Sequence, residues 1–227
     1  MPYRRTENVA RRLAARHGAI IAAARDAASE GGMAAVQIAP VAQRAGIAAG
    51  TVYRYFPGKT DLIAALLAEI SGREIAALRR AAEVAPGPLS ALAAAVVTFA
   101  ARALASRRLA FAMVAEAVEP GLDAVLRNYR GALAGAFETR IRRALERGLL
   151  PAQDAGVAAA ALVGALIEGL IGPLAPGPTD DPAQDRTQVQ TLTLFGLRGL
   201  GVIDARARGL VVQSALPRQD EDAEDAA

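Results

Sequence analysis

Three residues between Gln37 and Phe56 constrain this chain more than any other feature: Ala42, Gly46 four positions later, and Val52 six positions after that. Two short helices that cross steeply need a small side chain where they touch, and Ala42 supplies it. The turn between them needs a residue that adopts positive φ at little steric cost, which Gly46 does. An apolar side chain must then plug the angle between the helices. Val52 stands there, with Val41 and Ile47 completing a small buried wedge. Pro40 is compatible with the first turn of the leading helix, because its missing N–H would have had no intrahelical partner. Ala and Gly abound in this chain, so each residue alone says little. The joint spacing over residues 37–56 predicts a helix-turn-helix.

The flanking sequence supports that reading. From about Val9 the apolar positions Leu13, Ile20, Ile21, Ala24 and Ala28 recur at helical spacing, and Gly31-Gly32 ends the helix. Residues 38–45 and 49–55 are the two motif helices. Leu62, Ile63, Leu66, Leu67 and Ile70 mark one face of a longer helix reaching about Glu83. Pro86-Gly87-Pro88 is the clearest internal break. Beyond it, helices are expected near residues 89–105, 109–118, 122–148, 154–171 and 186–203, with a Pro- and Gly-rich loop over 172–182. No alternating strand pattern and no repeat period is found, so the expected class is all-α.

Composition narrows the chemistry. Hydrophobic residues make up 53% of the chain but aromatics only 4%, which favours closely packed Ala- and Leu-rich helices over strands. The absence of Cys excludes disulfides, thiolate metal sites and a Cys nucleophile. His17 is the one histidine, no Glu-x-x-His pair supports a di-iron site, and no Ser/His/Asp arrangement can be assembled. No metal, cofactor or enzymatic activity is therefore expected. No apolar run approaches the roughly 20 residues of a membrane span. The longest candidate, 157–170, is interrupted by Gly164 and Glu168, and no secretory signal precedes the first helix. A cytoplasmic protein without a membrane partner is expected. Net charge is only +3, yet residues 1–60 hold nine basic side chains against three acidic ones, whereas the segment after Leu216 holds five acidic against one basic. A basic head points to a polyanion.

The stretch from Ala45 to Leu62, Ala-Gly-Ile-Ala-Ala-Gly-Thr-Val-Tyr-Arg-Tyr-Phe-Pro-Gly-Lys-Thr-Asp-Leu, resembles the recognition segment of the tetracycline-repressor (TetR) family of bacterial regulators. The likeness is close over about residues 13–70; the later helices match only in number and order. It implies a helix-turn-helix DNA-binding domain over 9–70 and a larger helical ligand-binding and dimerisation domain over 71–215; the charge pattern itself adds a basic arm over residues 1–8 and an acidic disordered tail over 216–227. Two departures stand out. Gln37 and Ala48 occupy cap positions where the family commonly has Thr or Ser, and such a cap contributes about 1 kcal/mol. Gly58 stands where Ser is common, but Gly is an acceptable cap.

The resemblance also implies how contacts divide. Phosphate contacts set affinity and register, and base-edge contacts set sequence preference. Gln37, Tyr53, Tyr55 and Lys59 are expected on phosphates, and Arg44 is a further candidate from the leading helix. Ala48, Ala49, Gly50, Thr51 and Arg54 are expected to face the groove, with Arg54 the one side chain able to pair bidentately with guanine. A homodimer on a double-stranded, palindromic operator is implied, with Ala158, Ala161, Leu162, Ala165 and Gly169 of one late helix and Leu192, Leu194, Phe195, Leu197 and Leu200 of the next as its face. A small-molecule effector is implied as well. Its candidate pocket residues are Phe99, Leu104, Phe111, Met113, Tyr129, Phe137 and Leu166, with Arg102, Glu116 or Glu168 orienting a polar group. The competing reading is a helical protein-interaction module without sequence-specific DNA binding.

Overall fold

In the computed structural model, which describes residues 2–114, 116, 121–179 and 181–214, every regular element is helical. The order is α1 (Pro2–Gly31), a 3-10 turn (Met33–Ala35), α2 (Ile38–Arg44), α3 (Ala49–Tyr53), α4 (Lys59–Glu83), α5 (Pro88–Ala105), α6 (Arg107–Val114), α7 (Asp123–Glu146), α8 (Ala155–Leu170), α9 (Pro182–Gly199) and α10 (Asp204–Gln213). The all-α expectation holds. The acidic segment 216–227 lies outside the described residues.

Packing divides the chain into two units. The first comprises Met1–Ser71 together with Arg108–Arg127, and the second Gly72–Arg107 together with Asn128–Ala227. The sequence pattern places 108–127 with the larger domain, because nothing in it reports the distant partners described below.

The first unit is built on an aliphatic centre from α1, α2, α3 and α4. Ile20, Ala24, Ala28, Val41, Val52, Leu62 and Leu66 are fully buried in it. Gly32 closes α1 with φ 74° and its N–H on the Ala28 carbonyl at 2.8 Å, the left-handed exit for which glycine is suited. At its other end α1 begins at Pro2, so the helix runs through the segment expected as an arm. Between Thr6 and Arg16 the sequence holds neither Gly nor Pro to stop it.

The second unit has a larger centre, in which Phe137, Leu78, Leu92, Leu133, Ile141 and Leu166 are fully buried. Its helix α5 is apolar, eighteen residues long and mostly buried. By length and composition it is a better membrane-span candidate than 157–170, but here it is a core helix. Helix starts are chemically marked: Asp154 and Asp181 accept hydrogen bonds from the Val157 and Ala183 N–H groups at 2.8 and 2.9 Å, and Pro88 opens α5 after Gly87. Glycine lets α8 and α9 approach closely, since a Cβ on Gly169 would lie 2.7 Å from Leu192 and one on Gly196 2.7 Å from Leu162. The last expected helix, over about 186–203, corresponds to α9, which starts earlier and ends at Gly199; after a turn at Gly201, φ 88°, α10 follows beyond the expected helices.

Candidate nucleic-acid interface

The motif geometry is set by backbone hydrogen bonds around one glycine. α2 ends at Arg44, and Gly46 follows with φ 66°. The Ile47 N–H donates to the Ala42 carbonyl at 3.0 Å and the Gly46 N–H to the Gln43 carbonyl at 3.1 Å. This paired closure satisfies the carbonyls left over at the end of α2 and fixes the direction in which the chain departs. It delivers Ala48 in extended conformation, φ −70° and ψ 143°, directly into α3. Val52 is fully buried between the two helices, Ala42 nearly so, and Phe56 packs beneath the end of α3 with its N–H on the Val52 carbonyl. The wedge of Val41, Ala42 and Val52 leaves the opposite side of α3 facing outward.

That outward side carries the expected contact residues. Gln37, Ala48, Gly50, Tyr53 and Arg54 are exposed, while Ala49, Thr51, Tyr55 and Lys59 are half-buried at its margin. Tyr53 is more than half exposed despite its aromatic ring. No side chain caps either helix: Gln37 and Ala48 make no capping hydrogen bond, and the Gln37 amide turns back to donate to the Ala34 carbonyl at 3.0 Å. His17 of α1 stacks against this base, its ring 5.1 Å from Phe56 and 6.4 Å from Tyr55.

Arg44 stands apart from the other candidates. Its guanidinium makes a two-pronged pair with Glu30 of α1, at 2.7 and 2.6 Å. The carboxylate is held below its ordinary pKa by that hydrogen bond, and the Arg44 guanidinium is pushed upward by it. Arg44 therefore braces α2 against α1.

The pocket candidates are distributed over both units. Phe111, Met113 and Glu116 belong to the first unit and the others to the second. Phe99, Leu104, Phe137 and Leu166 are buried core. Tyr129 is buried beside an ion pair in which Arg102 holds Glu74 through hydrogen bonds of 2.8–3.2 Å. Burial first, and the Glu74 carboxylate second, push the Tyr129 phenol well above its ordinary pKa, against a smaller opposing effect of Arg102. Glu116 makes two polar contacts within the first unit. One oxygen accepts the Met33 N–H at 2.8 Å and the other pairs with Arg108, so it fastens the turn that follows α1. The open groove between α7 and α8, about 360 Å³, is lined by Arg130, Ala134, Ala160, Val163, Ile167 and Glu168; of the expected polar groups only Glu168 is among them.

The two-helix wedge, which exposes its short second helix, has the helix-turn-helix arrangement, and among the described residues every other regular element is helical. Residues 20–66 match the family described as bacterial regulatory proteins, tetR family. Over 41 residues it is 56% identical to the HTH-type transcriptional repressor KstR of Rhodococcus jostii, a match spanning 18% of this chain and 19% of that protein. The chain thus matches only about a fifth of that relative's length. The whole fold is similar to RolR in complex with resorcinol, with a TM-score of 0.62, 23% identity and coverage of 92% of this chain and 98% of RolR. It is also similar to SmeT, the repressor of the Stenotrophomonas maltophilia multidrug efflux pump SmeDEF, with a TM-score of 0.64, 20% identity and coverage of 89% and 96%. At these identities the two structures establish the fold.

Proposed function

We propose that this chain is a cytoplasmic transcriptional repressor, without enzymatic activity, that binds a palindromic DNA operator as a homodimer and answers to a small-molecule effector. The observation that carries the reading is the outward side of α3 and its margins, where Gly50, Tyr53 and Arg54 stand exposed on a wedge whose opposite side is buried. In this reading Arg54 and Thr51 read base edges, with Ala48, Ala49 and Gly50 permitting close approach. Tyr53, Tyr55, Lys59 and the Gln37 amide take phosphates. Arg44 contributes by holding α2 in place.

Dimerisation through α8 and α9 is supported by the apolar surface those helices leave uncovered. Phe195 and Val157 are 60% and 70% exposed, whereas Leu162, Leu197 and Leu200 are spent on their own core. An effector acts in this scheme by favouring one disposition of two reading heads over another. The Glu116 fastening of Met33 is the point at which residues beyond the head reach its first turn.

Operator selection from random duplex DNA tests the proposal, because a dimer must return a sequence with two-fold symmetry and half-sites one helical turn apart, or a multiple of it. On the selected duplex, Arg54→Ala is expected to relax preference at one base pair by about 1–3 kcal/mol, measured as the ratio of affinities for selected and single-base-changed duplexes. Equal losses on selected and random DNA would remove Arg54 from base reading, and recovery of no consensus would refute sequence-specific binding.

A further inference from the structure

The two halves of α1 are used differently. From Ile20 to Ala28 it feeds the centre of the first unit, with Ile20, Ala24 and Ala28 fully buried. From residue 8 to residue 19 every position is exposed, so about 18 Å of helix, at 1.5 Å per residue, buries none of its residues. This stretch holds Arg11, Arg12, Arg16 and His17 and no acidic residue. Arg12 and Arg16, four apart, share one face. The helix leaves the unit at a defined place, because His17 lies against Phe56 and Tyr55. It therefore departs beside Tyr55, one of the residues assigned above to phosphate binding.

A bare helical extension of this kind needs a partner to be useful, and its charge says which. Val9 and Leu13, 52% and 50% exposed, offer too little apolar surface for a stable protein interface. Cationic side chains in a stretch without acids suit a polyanion, and the adjoining surface is already the one that faces DNA.

We propose that the exposed N-terminal half of α1 is a second DNA-binding element, in which Arg12 and Arg16 bind phosphates of the duplex flanking the half-site read by α3. At about 3.4 Å per base pair the extension spans about five base pairs beyond the head. The inference rests on the DNA-binding reading above, and it adds a longer footprint whose outer part is insensitive to sequence.

The test uses the full chain and two duplexes: the selected operator trimmed to its core, and the same core with eight base pairs added on each side. The wild type is expected to bind the longer duplex more tightly and with a steeper dependence of log K on log salt. In Arg12→Ala/Arg16→Ala that advantage disappears, the slope on the longer duplex falls by about 0.9 for each phosphate that is no longer neutralised, and binding to the trimmed core is unchanged. Arg12→Lys/Arg16→Lys retains most of the advantage. Alanine preserves the helix, and an unchanged circular dichroism spectrum verifies this. Equal binding of both duplexes by the wild type, or equal losses on both by the alanine variant, overturns the inference while leaving the α3 interface standing. Failure of the wild type to bind either duplex overturns the DNA-binding reading itself, and this inference with it.

Discussion

The helix-turn-helix and the interior of the second unit are both built from small and aliphatic side chains, yet they are held by different means. In the motif the decisive hydrogen bonds are short in sequence: Ile47 to Ala42, Gly46 to Gln43, Phe56 to Val52. One backbone conformation at Gly46 determines where α3 points. In the second unit no single residue dictates geometry. Phe137 on α7, Leu92 on α5 and Leu166 on α8, from distant parts of the chain, are each fully buried in its interior. The head is thus specified by conformation and the second unit by volume, and substitutions in the two should fail in different ways.

Phe137→Ala should produce the largest effect. The side chain is fully buried, and removing a buried Phe costs about 3–5 kcal/mol through reduced transfer energy and a residual cavity. Urea unfolding should show that loss, while the folded fraction keeps the wild-type ratio of affinities for operator and random DNA. A loss below about 1 kcal/mol would mean that the second unit collapses around the gap, and that volume does not specify it.

Gly46→Val should show the reverse pattern. A β-branched residue at φ 66° is strained by about 2 kcal/mol, although nothing lies within 4 Å of the added Cβ. The relief available is to rotate α3, so operator affinity should fall much further than stability. Parallel losses of both would show that the turn acts through the unit as a whole.

Legibility in the sequence follows the same division. Ala42, Gly46 and Val52 announce the motif because their constraints are local, and exposure of Tyr53 and Arg54 follows from burying Val52. What lies beyond reach is any interaction whose partner is far away in the chain. Nothing around Arg44 signals that Glu30 will hold it with two hydrogen bonds. Nothing in residues 108–127 signals that Glu116 will accept the N–H of Met33, 83 residues earlier. A carboxylate beside apolar Phe111 and Met113 reads equally well as a pocket group, which is why the sequence pattern alone puts Glu116 among the effector-binding candidates. The extent of α1 is hidden for a different reason, since Arg-rich sequence without a breaker is compatible with either coil or helix.

Glu116→Ala tests whether that long-range hydrogen bond matters to the head. The Met33 N–H is left without its acceptor in a buried position, at a cost of about 1.5 kcal/mol, and Arg108 loses its partner. Hydrogen exchange at the amides of Met33 to Val36 should accelerate while that in α8 stays as in the wild type. Unchanged exchange at Met33 would show that the turn is held without Glu116.

The smallest predicted effect sharpens the comparison from the side of the motif. Ala48 already has the extended backbone of a helix cap, φ −70° and ψ 143°, but no side-chain oxygen to accept the free N–H groups of α3. Ala48→Ser supplies that oxygen without moving the backbone, and a cap of this kind contributes about 1 kcal/mol. If conformation rather than volume specifies the head, this one added atom should raise the unfolding midpoint of the first unit and slow hydrogen exchange in α3. It should do so with no change in the second. A gain in stability accompanied by weaker operator binding would place the residue 48 side chain against the DNA. No gain at all would mean that the exposed first turn of α3 is satisfied by water as well as by a hydroxyl, so that Gly46 alone carries the geometry of the motif.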